Sequence, residues 1–579
     1  METSSLLPLA AVLVPVVTAA VIVLTRSAPA VRDASLVVGA VATFAVVAAT
    51  GRRVLAGEVP TTVLGELLPG LEVTLAADGM GMVFAALASF LWVLAGSYAI
   101  GYMRGDNARN QTRFYAFYSL CLSTAFGVAF AGDLLTFFIA YELLTVTTYP
   151  LVTHKGDAKA LAAGRTYLGY LLSGGALVLL AMVIVYASTG TLTFTPGGFV
   201  AGTMGTTLTI VVFLLFAIGF GTKAGLLGLH PWLPGAMVAP TPVSALLHAV
   251  AVVKGGVFAF GRFLGFVMGP AAFAGLDVQQ LLSLAAAITI VVASIIALRQ
   301  DHLKRRLAYS TIAHLAYIVL GFSLLSTSGF EGSLLHILNH GVAKITLFFA
   351  AGAIHIAAHK DHVSELDGIG RRMPFTMLAF ALASFSLAGL PPAGGFLSKF
   401  TLVTGALEAE QFLLAGVMVG SGLFTAGYLF PIVYRAFFRP EPGEAPAPVS
   451  TAPAMPASSP AAPTAPATPS APTAQTGATA VLTAPGGDPS GGHAPANGPH
   501  HADTDLTDPA GHLNDEVQHA DDGHHDSHHA HADHGEAAAT MVVPIVITGV
   551  LSIVLGLGDW TGLYAVAADV AAAVIGGAP

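Results

Sequence analysis

The sequence predicts an all-α polytopic membrane protein of about fourteen transmembrane helices. Of 579 residues, 54% are hydrophobic and only 10% are charged, against about 25% charged in soluble domains. Mean hydropathy is +0.74. Apolar runs long enough to cross a bilayer recur at 5–25, 33–50, 79–102, 114–131, 133–153, 166–187, 207–229, 241–263, 279–298, 307–326, 333–357, 374–409, 411–434 and 541–558. Residues 560–577 form a further short apolar segment. The first run starts at Leu6 with no basic stretch before it, so it reads as a retained helix and not a cleaved signal.

Charge outside the runs sets the expected orientation. Arg104, Arg109 and Arg113 follow the third run, and Lys155, Lys159 and Arg165 follow the fifth. Arg299, Lys304, Arg305 and Arg306 follow the ninth, Lys360, Arg371 and Arg372 the eleventh, and Arg435 and Arg439 the thirteenth. Loops after odd-numbered helices are therefore expected to be cytoplasmic, with both termini on the periplasmic or extracellular side of the cell (inner) membrane. Arg52 and Arg53, after the second run, break this pattern.

Two runs are interrupted. The seventh leads into "GLHPWLPGAMVAPTP", with Pro231 and Pro234, and the twelfth contains "LAGLPPAGGF", with Pro391 and Pro392. Such breaks free backbone groups that are tolerated only against protein or water. Broken helices 7 and 12, five positions apart, suggest two five-helix repeats, helices 4–8 and 9–13, with a site at half-depth. The expected organisation is helices 1–3 in 1–110, repeats in 111–265 and 266–440, an insert at 441–540, and helix 14 with a short tail in 541–579.

The insert is a different material. It holds 13 acidic and no basic residues, runs from Pro/Ala-rich to His/Asp-rich, and carries 11 of the 21 histidines. It cannot bury a core, so disorder on the cytoplasmic side is expected. Its pairs His524, His525, His528 and His529 could take Zn²⁺ or Ni²⁺ or sense pH, against the plainer reading of a solvated insertion. The rest of the chain holds 20 acidic and 24 basic residues. Nothing suggests nucleic-acid binding, and the partners expected are the bilayer and other hydrophobic subunits. A single cysteine, Cys121, excludes disulfides and an all-protein Fe–S cluster. The chain also lacks a Rossmann glycine fingerprint and a Walker A sequence. No cofactor is expected, and no redox centre of its own.

The informative residues are ionisable groups within the apolar runs, each costing about 2.5–3.5 kcal/mol on insertion scales and so commonly marking ion paths. Glu142 is centred in the fifth run and Lys223 in the seventh. A carboxylate beside a lysine holds it charged, while an apolar setting favours the neutral amine, so parting the two would release a proton. The alternative is a static ion pair. His248 and Lys254, six residues apart in the eighth run, face different neighbours on a continuous helix. His314 lies in the tenth. His336, His340 and Lys344 in the eleventh share one face by their i, i+4, i+8 spacing. The two histidines could bind Zn²⁺ given a third ligand, though Lys344 on the same face opposes a cation. Lys399 follows the break in the twelfth, and its plain alternative is a lysine snorkelling to the interface. The plain alternative for His248 or His314 taken alone is a core imidazole bonded to a neighbouring helix. Together the groups form a row suited to lateral proton transfer through bridging water.

The stretches "HPWLPGAMVAPTPVSALLHAVAVVKGGVF", "LAYSTIAHLAYIVLG", "HILNHGVAKITLFFAAG" and "GLPPAGGFLSKF" closely resemble the antiporter-like subunits of respiratory complex I and of Mrp-type multisubunit cation/proton antiporters. The likeness covers roughly residues 75–435 and looks closest to the D-type Mrp subunit. It implies fourteen helices with inverted repeats, and roles in proton transfer for Glu142, Lys223, His248, Lys254, His336, His340, Lys344 and Lys399, with His314 expected to join them as a member of the same polar row. It also implies H⁺ coupled to a monovalent cation such as Na⁺. The same motifs occur in complex I-type NADH:quinone oxidoreductases, membrane-bound hydrogenases and inorganic-carbon uptake complexes. The His-rich insert departs from the family pattern, and no long lateral helix follows helix 14.

Overall fold

A computed structural model describes residues 2–68, 70–441 and 535–576. The insert, with His524, His525, His528 and His529, lies outside the described residues apart from its margins. A small sheet and helices α1 to α19 account for most of what is described. β1 (Glu2–Ser4), α1 (Leu7–Leu24), α2 (Pro29–Leu55), β2 (Val59–Leu68), β3 (Leu71–Ala76) and α3 (Gly79–Gly105) form the N-terminal part. β1 pairs in parallel with β2, and β2 antiparallel with β3. No run of spanning length falls at 51–78, and hydropathy alone does not tell β2 and β3 there from a connecting loop.

Next come α4 (Gln111–Phe130), α5 (Leu134–Val152), α6 (Ala158–Thr189), α7 (Thr206–Ala224), α8 (Trp232–Gly235), α9 (Thr241–Ala249) and α10 (Val252–Arg262). They are followed by α11 (Val278–Arg299), α12 (Leu303–Ser323), α13 (Thr327–Ala358), α14 (Ile369–Arg372), α15 (Pro374–Ala388), α16 (Gly394–Glu408) and α17 (Phe412–Phe438), then α18 (Ala539–Val554) and α19 (Leu563–Ile575). Among the described residues, ten helical spans are long and apolar enough to cross a membrane, and α15, α18 and α19 are shorter apolar helices. α4 and α12 coincide with expected runs but fall outside that set of ten.

Local chemistry fixes the helix starts. Asp133 accepts from Thr136 N at 2.7 Å, Asp157 from Ala160 N at 2.6 Å and Ser326 from Gly329 N at 3.2 Å, each satisfying an orphan amide at a helix N-terminus. The two breaks share one device. α7 ends at Gly225 (φ +70°) and α15 at Gly389 (φ +82°), each within the tripeptide Ala-Gly-Leu. A left-handed glycine stops a helix without steric cost, and the prolines beyond prevent its resumption in register.

The eighth run, expected as one helix, is also interrupted. Val250 (φ −132°, ψ −46°) and Ala251 (φ −93°, ψ −104°) separate α9 from α10. No proline announces this break. It falls in "HAVAVVKGG", where β-branched residues and a glycine pair lower helix propensity. His248 and Lys254 therefore sit on two separate helices, and the angular relation drawn from a continuous helix does not hold.

α13 is the central helix. It packs against α3, α9, α12, α15, α16, α18 and α19, and residues 329–354 are buried apart from Glu331. α1, α2, α6 and α17 carry broad exposed apolar faces of the kind a bilayer covers. The basic loops gather at one end of the bundle. Arg104 bonds Asp33 at the start of α2 (2.6 Å), and Arg113 bonds the His154 carbonyl after α5 (2.9 Å). The sheet lies at the other end, where Asp133 at the start of α5 accepts from Thr74 N.

Candidate functional site: a buried row of ionisable side chains

Lys223 occupies the last turn of α7 and is wholly buried. Its Nζ lies 3.3 Å from Glu142 Oε1, donates to the Tyr141 carbonyl and sits 3.2 Å from the centre of the Tyr141 ring. The structure brings together the pair expected from the sequence. The side chain of Glu142 is 20% exposed, so the carboxylate has room to move while the lysine does not. Tyr141 was not anticipated, although its place beside Glu142 in an apolar run was available as a signal.

Glycine makes room for the carboxylate. A Cβ added at Gly175 on α6 would lie 2.6 Å from the Glu142 carboxyl group. Gly175→Ala is expected to keep the fold, because the displaced atoms end a flexible side chain, but to turn Glu142 away from Lys223. Transport should fall about 10-fold to 100-fold, since misplacement by about 1 Å costs that order. Flux measured beside an unchanged unfolding midpoint checks it.

The middle of the row is a cluster of rings. Lys254 on α10 contacts His340 Nδ1 at 2.7 Å. His314 on α12 and His336 on α13 meet Nδ1 to Nε2 at 3.1 Å, and their rings stack with centroids 5.4 Å apart. His340 lies 5.3 Å from His314 and 5.8 Å from His336, centroid to centroid. On its far side His336 Nδ1 meets Ser398 Oγ at 2.9 Å. Three helices thus contribute two hydrogen-bonded pairs, Lys254–His340 and His314–His336, whose imidazole rings lie side by side. All four ionisable members are fully buried.

Lys399 follows Ser398 on α16. Its Nζ donates to the Leu387 carbonyl at 2.7 Å and lies 5.0 Å from the Tyr317 ring centre. Leu387 belongs to the last turn of α15, so the ammonium occupies the carbonyl end of a broken helix, where the helix dipole favours a cation. The residue is 8% exposed, which excludes the snorkelling reading.

Two expected members stand aside from this chain of contacts. Lys344 turns to α12, donating to Ser310 Oγ at 2.7 Å and to the Leu307 carbonyl at 3.1 Å. His248 stacks on Phe348 at 4.6 Å, and neither of its ring nitrogens has a hydrogen-bond partner among the described residues. Among the described residues, no group of three or more His, Cys, Asp or Glu side chains is placed to hold a metal ion. Pro231, Pro234, Pro391 and Pro392 bound the breaks as expected: Pro231 and Pro234 at α8, Pro391 and Pro392 between α15 and α16.

Sequence reasoning missed several polar groups. Arg262, buried at the end of α10, forms a two-pronged pair with Asp78, the N-cap of α3. Ser310 and Ser398 lie inside the stretches that carry the family resemblance, but hydroxyls seldom stand out beside histidines and lysines. At the basic end, His302 sits opposite His362 (ring centroids 5.4 Å), and His355 Nδ1 lies 3.1 Å from the Asp361 carboxylate. The His355 contact is the main cause holding the Asp361 carboxyl down at about 2. Burial, followed by the Lys304 charge, pushes the His302 imidazole down to about 4.

The sign of the His302 effect follows from linkage. Between about pH 4 and its ordinary value of 6.5, the unfolded corner binds a proton that the folded one refuses. The stabilisation is complete above pH 6.5 and lost as pH falls through 4. The protection factors of the amides of residues 300–303 and 361–364, with the intrinsic pH dependence of exchange divided out, are expected to fall on acidification through this window, and His302→Gln is expected to flatten the response.

A helical membrane bundle with two glycine-stopped helices, and a buried lateral row of lysines and histidines beside them, has the architecture of the antiporter-like class of membrane subunits. The chain belongs to the NADH:quinone oxidoreductase/Mrp antiporter transmembrane family, which it matches over residues 131–425. It is 35% identical over 393 residues to NADH-quinone oxidoreductase subunit N of Desulforudis audaxviator, covering 66% of this chain and 77% of that protein. It is 31% identical over 389 residues to the A/B subunit of a probable K(+)/H(+) antiporter from Rhizobium meliloti, covering 65% of this chain and 38% of that longer protein. Its fold matches a chain in the structure of the Mrp complex from Dietzia sp. DQ12-45-1b with TM-score 0.75 and 21% identity, over 98% of this chain and 97% of that one.

Proposed function

We propose that the chain is the proton-translocating subunit of a multisubunit monovalent cation/proton antiporter. The observation that carries the reading is the set of contacts Lys254–His340, His314–His336 and His336–Ser398, with Lys399 next in sequence and the Lys223–Glu142 pair at the other end. Imidazoles accept and donate through opposite nitrogens, so a proton arriving at one end can leave from the other. Parting Glu142 from Lys223 destabilises the charged lysine and launches the proton, with water bridging the gaps between residues. The membrane potential supplies about 2.3 kcal/mol per charge per 100 mV. The two glycine-stopped helices support the assignment of 111–265 and 266–440 as repeats. The cell membrane is the proposed location, with termini outside, the insert inside and Na⁺ as the exchanged cation.

Identity to an oxidoreductase subunit favours a second reading, the pumping membrane subunit of a complex I-type assembly. Purification in mild detergent separates the two. Small hydrophobic antiporter partners and Na⁺-dependent proton movement in proteoliposomes support the first, and copurifying Fe–S and flavin proteins the second.

A further inference from the structure

Arg52 and Arg53 break the charge pattern of the loops, and the structure treats them differently. Arg53 is bound to Glu58, 2.6 Å from its Oε2, and to Thr3. Arg52 is exposed and has no side-chain partner among the described residues. It stands at the edge of a cleft of about 430 Å³ between α2, α3, α13, α18 and α19, and it is the one charged residue of that lining. Apart from Thr561 and Tyr564 the other walls are apolar, with Phe44, Phe90, Leu338, Leu551 and Leu555 among them. This volume falls in the range of sites that hold small ligands, about 300–1,000 Å³.

Depth is marked by the turn between α18 and α19. There Trp560 is 71% exposed, as aromatic side chains at a membrane–water boundary are. Gly562 of the same turn packs against Leu55, three residues beyond Arg52. The nearby acid, Asp559, is occupied in capping α19, where it accepts from Ala565 N at 2.9 Å. The cleft therefore presents a free cation at headgroup level above an apolar recess that water does not favour.

We propose that this cleft holds an anionic phospholipid, with its phosphate on Arg52 and an acyl chain against Phe44, Phe90 and Leu551. An unpaired guanidinium matches a phosphate in geometry and charge, and the recess matches a hydrocarbon tail. Leu338 and Val342 of the lining lie on the opposite side of α13 from His336 and His340. The lipid would thus brace the back of the helix that carries the rings. The site does not depend on the proton-transfer reading.

The test uses the full chain, reconstituted with phosphatidylglycerol or phosphatidylcholine and examined by native mass spectrometry. Retention of phosphatidylglycerol over phosphatidylcholine is expected. Arg52→Ala is expected to lower it about fivefold, the effect of one basic residue at a charged surface, with Arg52→Lys recovering part. Ala48→Phe, from an exposed position on the cleft wall, is expected to abolish retention while leaving the unfolding midpoint unchanged. Equal retention in wild type, Arg52→Ala and Ala48→Phe would overturn the site. So would efficient cross-linking of an Ala48→Cys variant to another subunit in the assembled complex, which would show that a protein helix fills the cleft. The chain's own cysteine is buried and does not compete.

Discussion

Lys223→Ala is expected to lower proton flux in proteoliposomes by about 100-fold or more, the worth of a positioned proton donor and acceptor. Among the described residues the side chain is the sole cation contacting Glu142, and its ammonium rests on the Tyr141 carbonyl and ring. An alanine leaves the carboxylate partly exposed, without a partner and with no proton to pass. Stability should suffer less than flux, because Glu142 can turn toward its exposed side, whereas Lys223 cannot. Glu142→Ala is the harsher change for folding. It leaves a wholly buried ammonium uncompensated, an error worth about 3–5 kcal/mol. Glu142→Gln keeps the shape and isolates the charge. Parallel loss of flux in Lys223→Ala and Glu142→Gln, with assembly intact, is the expected pattern. Full antiport in either would refute the launching role.

His336→Ala is expected to have a comparable effect at the middle of the row. This residue touches His314 through one nitrogen and Ser398 through the other, so its removal cuts the hydrogen-bonded link between the ring cluster and α16. His336→Gln retains hydrogen bonding but cannot exchange a proton near neutral pH, and should be as inactive as alanine. The cavity left by alanine would also cost stability, so the glutamine variant carries the argument. Proton flux driven by an imposed gradient, measured at matched protein incorporation, checks both. His248→Gln, off the connected contacts, should fall far less.

What could be read in the sequence follows the energetics of burial. Glu142 and Lys223 stand out because a charge in an apolar run is costly, and their pairing follows from complementary sign. The two glycine-stopped breaks are marked by proline. The break between α9 and α10 is not, because Val250 and Ala251 lie in an apolar stretch without a conventional stop signal. The contact of Lys254 with His340 and not with His248 depends on where the break after α9 carries α10, which spacing along one chain does not encode. His336, His340 and Lys344 share a face by their spacing, yet Lys344 leans to Ser310 because a long side chain reaches the neighbouring helix. Arg262 and Asp78 escape notice because each lies at the edge of a run, where a charge looks solvated, and only the fold buries the arginine.

The central claim is that these groups act in series along one path. Proton flux in proteoliposomes carrying Lys223→Ala, His336→Gln or both measures this directly. A single path requires the double variant to be no slower than the slower single variant, since a wire already cut loses nothing by a second cut. Losses that multiply, or a substantial residual flux in either single variant, would show that protons cross the protein by another route.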